Sequence, residues 1–258
     1  MKFKSPVPFL FVASLFALAA CGGGSGSSSS SKQNENAELQ EDNDQGIYRA
    51  VLTPVNKKLV ANTTGTIEVR IDGDEVVIES TVAGAPSGVK HFQNIMTSSE
   101  CPTEASDANG DGVVDIMEGS ASFGKILVPL DSNISDQLLG NDFGPIANGA
   151  GAYVYRKSTS FAQLMADLNA EDPDKEDFFA KLSPTETLRL SKRVVVVHGV
   201  SRNSDLPATV ATLGDAAADQ LIPIACGKLV KVHSEDTTTA DAARSETSSE
   251  TTTGARFL

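Results

Sequence analysis

The stretch 66–82 reads T-I-E-V-R-I-D-G-D-E-V-V-I-E-S-T-V. Ile67, Val69 and Ile71 alternate with Thr66, Glu68 and Arg70, so an extended chain here has one apolar face and one wetted face. Asp72-Gly73 supplies turn residues and 75–82 resumes a β-branched run, which predicts a β-hairpin. Short runs of the same character recur at 47–52, 89–95, 125–130, 152–156, 193–198 and 227–232, each bounded by turn residues, making eight strands. The run 193–198 contains four consecutive valines, a pattern expected of a central strand buried on both faces. Antiparallel strands in this number predict an all-β sandwich or barrel.

One helical insertion is expected, over 157–190. Ser160 precedes Phe161, Leu164, Met165 and Leu168 at helical spacing, and Gln163 stands where a capping box places it. Asp172-Pro173 then opens a second, turn-rich helix carrying Phe178, Phe179 and Leu182. Both read as packing elements that cover one end of the sheet.

The ends of the chain have a different character. Lys2 and Lys4 lead into an apolar run and then Leu18-Ala19-Ala20-Cys21, the layout of an export signal over 1–20, too short to span a membrane. A cysteine directly after small residues resembles a bacterial lipoprotein signal, and the resemblance implies that Cys21 becomes the lipid-bearing N-terminus. A Gly/Ser and then Gln/Asn/Glu-rich tether over 21–46 suits an anchored protein. Gly22 after the cysteine places the anchored protein in the outer membrane if the host has two membranes. The segment 234–258 lacks apolar bulk over most of its length and reads as a disordered tail.

The strongest chemical motif is 107–118, D-A-N-G-D-G-V-V-D-I-M-E. Asp107, Asn109, Asp111, Asp115 and Glu118 occupy positions 1, 3, 5, 9 and 12 of a twelve-residue calcium loop, with Gly112 at position 6 for the sharp turn and Val113 offering its carbonyl. Asp, Asn and Gly recur in surface turns for backbone reasons alone. Asp115 and Glu118, in register with the rest, carry the loop beyond that. Ca²⁺ is the expected ion, because an all-oxygen donor set suits a hard cation and zinc would want His or Cys. Gly119 directly after Glu118, and the Ser, Gly and Pro that follow, predict no exit helix, so the loop is expected between strands.

The 34 acidic and 21 basic residues leave a net charge of −13. Such a balance argues against nucleic acid and against charge-driven binding to anionic lipid, and it favours cations. Setting aside Cys21, the three cysteines reduce to Cys101 and Cys226, which in an exported protein can form a disulfide or remain as two buried thiols.

Strand-borne His91-Phe92-Gln93, then Cys101, then Val194 to Gly199 as V-V-V-V-H-G, then I-A-C-G-K-L around Cys226, resemble the order found in the Cu/Zn superoxide dismutase fold and its chordin-type (CHRD) bacterial relatives. The resemblance covers 47–232. It implies an eight-stranded antiparallel Greek-key sandwich and a Cys101–Cys226 bridge, with His91 and His198 at two copper-ligand positions. Gln93 stands where a second strand histidine belongs, no histidine lies between Cys101 and Arg193, and Pro223 replaces an arginine. Two imidazoles do not make a redox copper cage, so a non-catalytic domain is expected, with calcium ordering the connection that the enzymes order with zinc. The alternative is a copper-binding protein or divergent dismutase-like enzyme using His91 and His198. No nucleophile elbow or phosphate loop is present in the sequence. The expectation is a calcium-binding, lipid-anchored envelope protein, not an enzyme, with Ca²⁺ as its cofactor and an unidentified protein partner.

Overall fold

The computed structural model describes residues 44–135, 144–170, 177–214 and 216–233. Cys21, the signal and most of the tether, the tail and Asp172-Pro173 lie outside them. The chain is all-β, an antiparallel sheet that curls on itself and carries only short helices. In chain order the elements are β1 (Gly46–Pro54), β2 (Thr64–Asp72), β3 (Glu75–Ala83), β4 (Gln93–Met96), α1 (Ile116–Phe123), β5 (Ile126–Pro129), β6 (Tyr153–Ser160), α2 (Phe161–Asn169), β7 (Val194–His198), α3 (Ala218–Leu221), β8 (Pro223–Lys228) and β9 (Val230–Val232). Strands lie side by side as β5-β4-β7-β8-β1-β2-β3-β6, with β9 paired to the other end of β1. The links from β3 to β4 and from β6 to β7 jump over neighbouring strands, as the long returns of a Greek key do.

The hairpin forms as its pattern dictates. Ile67, Val69 and Ile71 of β2 face Ser80, Ile78 and Val76 of β3 on the buried side, while Glu68 and Arg70 point away. The turn itself is Gly73-Asp74, one residue later than expected, because Asp72 pairs with Glu75 and the strands run to their full length. Asp74 has a second use: its carboxylate accepts from the Ser160 hydroxyl and the Ala162 amide at the start of α2.

Inside the curl, Tyr48, Ile67, Val69 and Ile78 of one half meet Ile95, Leu127, Val195, Val197 and Ile224 of the other in one continuous core. Val194 and Val196 project from the opposite face of β7 into a second cluster with Met96, Ile116, Phe123, Phe179 and Cys226. The valine strand is therefore buried on both faces, as expected, and each valine contributes roughly 1.5–3 kcal/mol relative to exposure. The sheet's inner face closes the main core; its outer face on this half is roofed by α1 and by the chain around Phe178 and Leu213.

Several boundaries differ from expectation for physical reasons. β6 continues to Ser160, since β3 offers it pairing partners along its whole length, so the insertion begins later than 157. Ser160 caps α2 by accepting from the Gln163 amide, but the Gln163 side chain turns to Asp167 and no reciprocal box forms. Among the described residues 177–189 there is no second helix. Phe179 instead bridges Ile126 in parallel, and burial of Phe179 and Leu182 outweighs helical spacing. Strand 89–95 shortens to β4, and 227–232 divides at Leu229, whose fully buried side chain and bond to Arg193 separate β8 from β9. Asp44, expected in the tether, is fully buried and accepts from the amides of Leu188 and Leu190.

Candidate functional site

The connection from β4 to β5 carries the candidate loop, fastened at three places. Cys101 and Cys226 form a disulfide that ties the start of the connection to β8, with their Cα atoms 5.7 Å apart. Asn56, just after β1, holds its middle. Asn56 Nδ2 donates to the carbonyl oxygens of Val114 and Pro223, both at 2.9 Å, and the Val114 amide donates back to Asn56 Oδ1 at 2.8 Å. One side-chain amide thus supplies the pair of bonds that a neighbouring strand would give Val114. At the end of the connection, α1 packs Ile116 and Phe123 against the outer face of the sheet.

Between these fastenings the loop winds inward. Asp107 Oδ1 accepts from the amides of Gly110 and Asp111, and its Oδ2 accepts from Gly112 at 2.8 Å. Asn109 Oδ1 takes the Asp111 amide, and Asp111 Oδ1 takes that of Val113. Gly112 has φ +90°, a conformation that L side chains rarely adopt, at the position where the motif requires glycine. Asp115 Oδ1 accepts from Met117 and Glu118 and caps α1, while its Oδ2 takes the Ala211 amide. Glu118 closes the ring: Oε2 accepts from Asp115, and Oε1 from Ala108 and Asn109 at 3.0 and 3.1 Å.

The absence of an exit helix was the wrong expectation. α1 begins at Ile116, the tenth loop position, directly behind the cap that Asp115 and Glu118 build. Gly119 does not end the helix. A Cβ there would lie 2.4 Å from Phe123 Cε1, so glycine makes room for the Phe123 ring to lie back along the helix. The intrinsic cost of a helical glycine, about 1 kcal/mol, is of the size that one capping box offsets. On the leading side there is only a single 3₁₀ turn, Glu104–Ser106.

The donor set is chemically suited to a hard cation: it consists of oxygens alone, and oxygens holding a single amide keep further lone pairs. The gathering of side chains goes less far than the register. Among the described residues, no three His, Cys, Asp or Glu side chains are clustered so as to hold a metal ion. Asp111 Oδ2 is turned to the Thr209 hydroxyl, which holds that carboxyl below its ordinary pKa. Lys58 also stands close, its ammonium nitrogen 3.6 Å from where a Cβ on Gly112 would be.

A scan against protein-family models gives no match for the chain, and neither does a search of curated proteins. What the fold can do is therefore read from its residues.

His91 and His198 meet through the ring of one and the backbone of the other. The His91 ring stacks on Tyr153 in the main core with centroids 5.5 Å apart, and its nitrogens face the carbonyl oxygens of His198 and Pro86 at 2.9 and 3.1 Å. The His198 ring is edge-on to Phe123 in the outer cluster, with neither nitrogen hydrogen-bonded. Burial lowers the pKa of both, that of His198 to about 4. Gln93, buried in β4, likewise has both amide atoms unpartnered. Asn56, Thr209 and Ala211 escaped the sequence reading because each reaches the loop from far along the chain, with no local pattern to mark it.

Proposed function

We propose that the chain is a calcium-binding, lipid-anchored protein of the cell envelope, whose superoxide dismutase-like or CHRD-like domain is non-catalytic and has a binding or structural role. The observation that carries this reading is the closed winding of 107–118, with Asp107 gathering three amides at one end and Glu118 reaching back to Ala108 and Asn109 from the other. Asp107, Asn109, Asp111, the Val113 carbonyl, Asp115 and Glu118 would hold the ion. When bound, Ca²⁺ supplies positive charge that offsets four carboxylates in one short loop. The residues themselves set the loop's path, cap α1 and orient the oxygens. The curled antiparallel sheet and the bridge from Cys101 to the strand containing Ala225-Cys226-Gly227 support the family resemblance. The alternative, a copper-binding protein or divergent dismutase-like enzyme, would use His91 and His198, whose rings stack on Tyr153 and lie edge-on to Phe123 respectively.

Calorimetry with and without Ca²⁺ tests the reading. Millimolar Ca²⁺ should raise the melting temperature, and Asp107→Ala or Glu118→Ala should remove the increase; a melt indifferent to EDTA refutes it. Affinities of about 10⁻⁴ to 10⁻³ M would suffice outside a cell. Cys21→Ala should release the protein from membranes into the soluble fraction, and retention there would refute the anchor.

A further inference from the structure

Between α1 and the outer face of β4, β5 and β7 lies a cavity of about 310 Å³. Its walls are mainly apolar, with Met96, Ile116, Phe123, Ile126, Phe178 and Leu221, and Asn94 and Ser120 add polar side chains. His198 also lines it, 1 % exposed, with neither ring nitrogen hydrogen-bonded. An unsatisfied buried polar group costs about 1–3 kcal/mol, so a native chain that keeps an imidazole in such a wall has a use for it, or a ligand that satisfies it. Roughly 150 Å³ of aliphatic-lined space takes up a benzene molecule, and this cavity is about twice that.

We infer that this cavity is a binding site for a neutral, apolar molecule of one or two rings carrying a hydroxyl group, with His198 as its polar anchor. The chemistry follows from the wall. A neutral imidazole offers one N–H and one acceptor nitrogen, so it can accept a hydroxyl proton and, through its other nitrogen, donate to an ether or carbonyl oxygen. A charged head would lose its water to a mainly apolar surface that carries no buried opposite charge, and it is disfavoured. Lys125 and Asp177 border the site but are exposed, so they mark its mouth. The inference does not rest on the calcium reading, since it uses the cavity and His198 alone.

Titration of the full chain with 2-naphthol, naphthalene and 2-naphthoate tests it. The chain contains no tryptophan, so naphthol fluorescence is read without interference. Naphthol should bind about tenfold more tightly than naphthalene, the worth of one buried hydrogen bond, and naphthoate should bind more weakly than naphthol. His198→Leu should abolish the preference for naphthol over naphthalene while naphthalene still binds, which separates loss of the anchor from loss of the fold. Ser120→Leu, which fills the cavity from the helix, should exclude both. Equal binding of naphthol and naphthalene, an unchanged preference in His198→Leu, or no binding of either compound would overturn the proposal.

Discussion

Breaking the Cys101–Cys226 bridge should cost this protein a large part of its stability, and the size can be worked out. The two cysteines are 125 residues apart, and the loop they close contains β5, β6 and β7. On the loop-closure relation, cross-linking a loop of that length removes about 16 cal/mol/K from the unfolded chain, or about 5 kcal/mol at 25 °C. For a domain of this size each kcal/mol moves the melting temperature by about 2–4 °C, so Cys101→Ala should lower it by about 10–20 °C. Cys101 is the residue to change, because it is half-buried at the start of the connection, whereas Cys226 lies fully buried between β1 and β7. Left unpaired there, Cys226 behaves as a small hydrophobe and opens no cavity. Circular-dichroism melts of the parent with and without dithiothreitol, beside Cys101→Ala, provide the measurement. The reduced parent and the variant should coincide. A variant that melts within about 3 °C of the oxidised parent would refute the reasoning, because the bridge would then constrain nothing that the fold does not already hold.

Asn56→Ala removes three hydrogen bonds to Val114 and Pro223 and leaves a non-glycine residue at φ 52°, so it should cost about 3 kcal/mol in urea denaturation and weaken Ca²⁺ stabilisation. Asp44→Ala strips the buried amides of Leu188 and Leu190 of their acceptor and should cost about 2–4 kcal/mol; an effect under 1 kcal/mol would show that water replaces the carboxylate. His198 should make the protein acid-sensitive: its folded pKa, near 4, lies below the unfolded value of 6.5, so unfolded chains take up the proton first. Its contribution is whole at pH 7 and is lost as pH falls from 6.5 towards 4, the loss reaching about 2 kcal/mol by pH 5. Urea midpoints at pH 7 and pH 5 should therefore diverge less in His198→Leu than in the parent, with His91, also lowered by burial, accounting for part of the remainder.

The sheet was legible because its signals are local and repeated. Ile67, Val69 and Ile71 alternate within one strand, and Val194 to Val197 admit no exposed face. The helices were less legible, since single residues there answer to distant partners. Gly119 looks like a helix stop until Phe123 is seen folded over it, and Phe178 and Phe179 look helical until Ile126 claims the backbone. Within the loop, spacing singled out Asp107, Asn109 and Glu118, whose side-chain oxygens accept from loop amides. It could not reveal that Thr209 and Ala211, in the later link between β7 and β8, hold Asp111 and Asp115. Such contacts follow from topology, and no periodicity encodes them.

Asp115 is where these features join. One oxygen caps α1, whose Ile116 and Phe123 wall the cavity, and the other holds Ala211, two residues from the Leu213 that lines the same space. Any event that repositions Asp115 therefore acts on two walls of the cavity through direct bonds. An ion held by the loop and a ligand held beside His198 would be linked thermodynamically, and linkage is reciprocal: whatever factor Ca²⁺ contributes to ligand affinity, the ligand must return to Ca²⁺ affinity. Asp115→Asn keeps a capping oxygen and removes the charge. If the coupling runs through Asp115, that variant should retain naphthol binding while losing its dependence on Ca²⁺, whereas Asp115→Ala, which also uncaps α1, should weaken both.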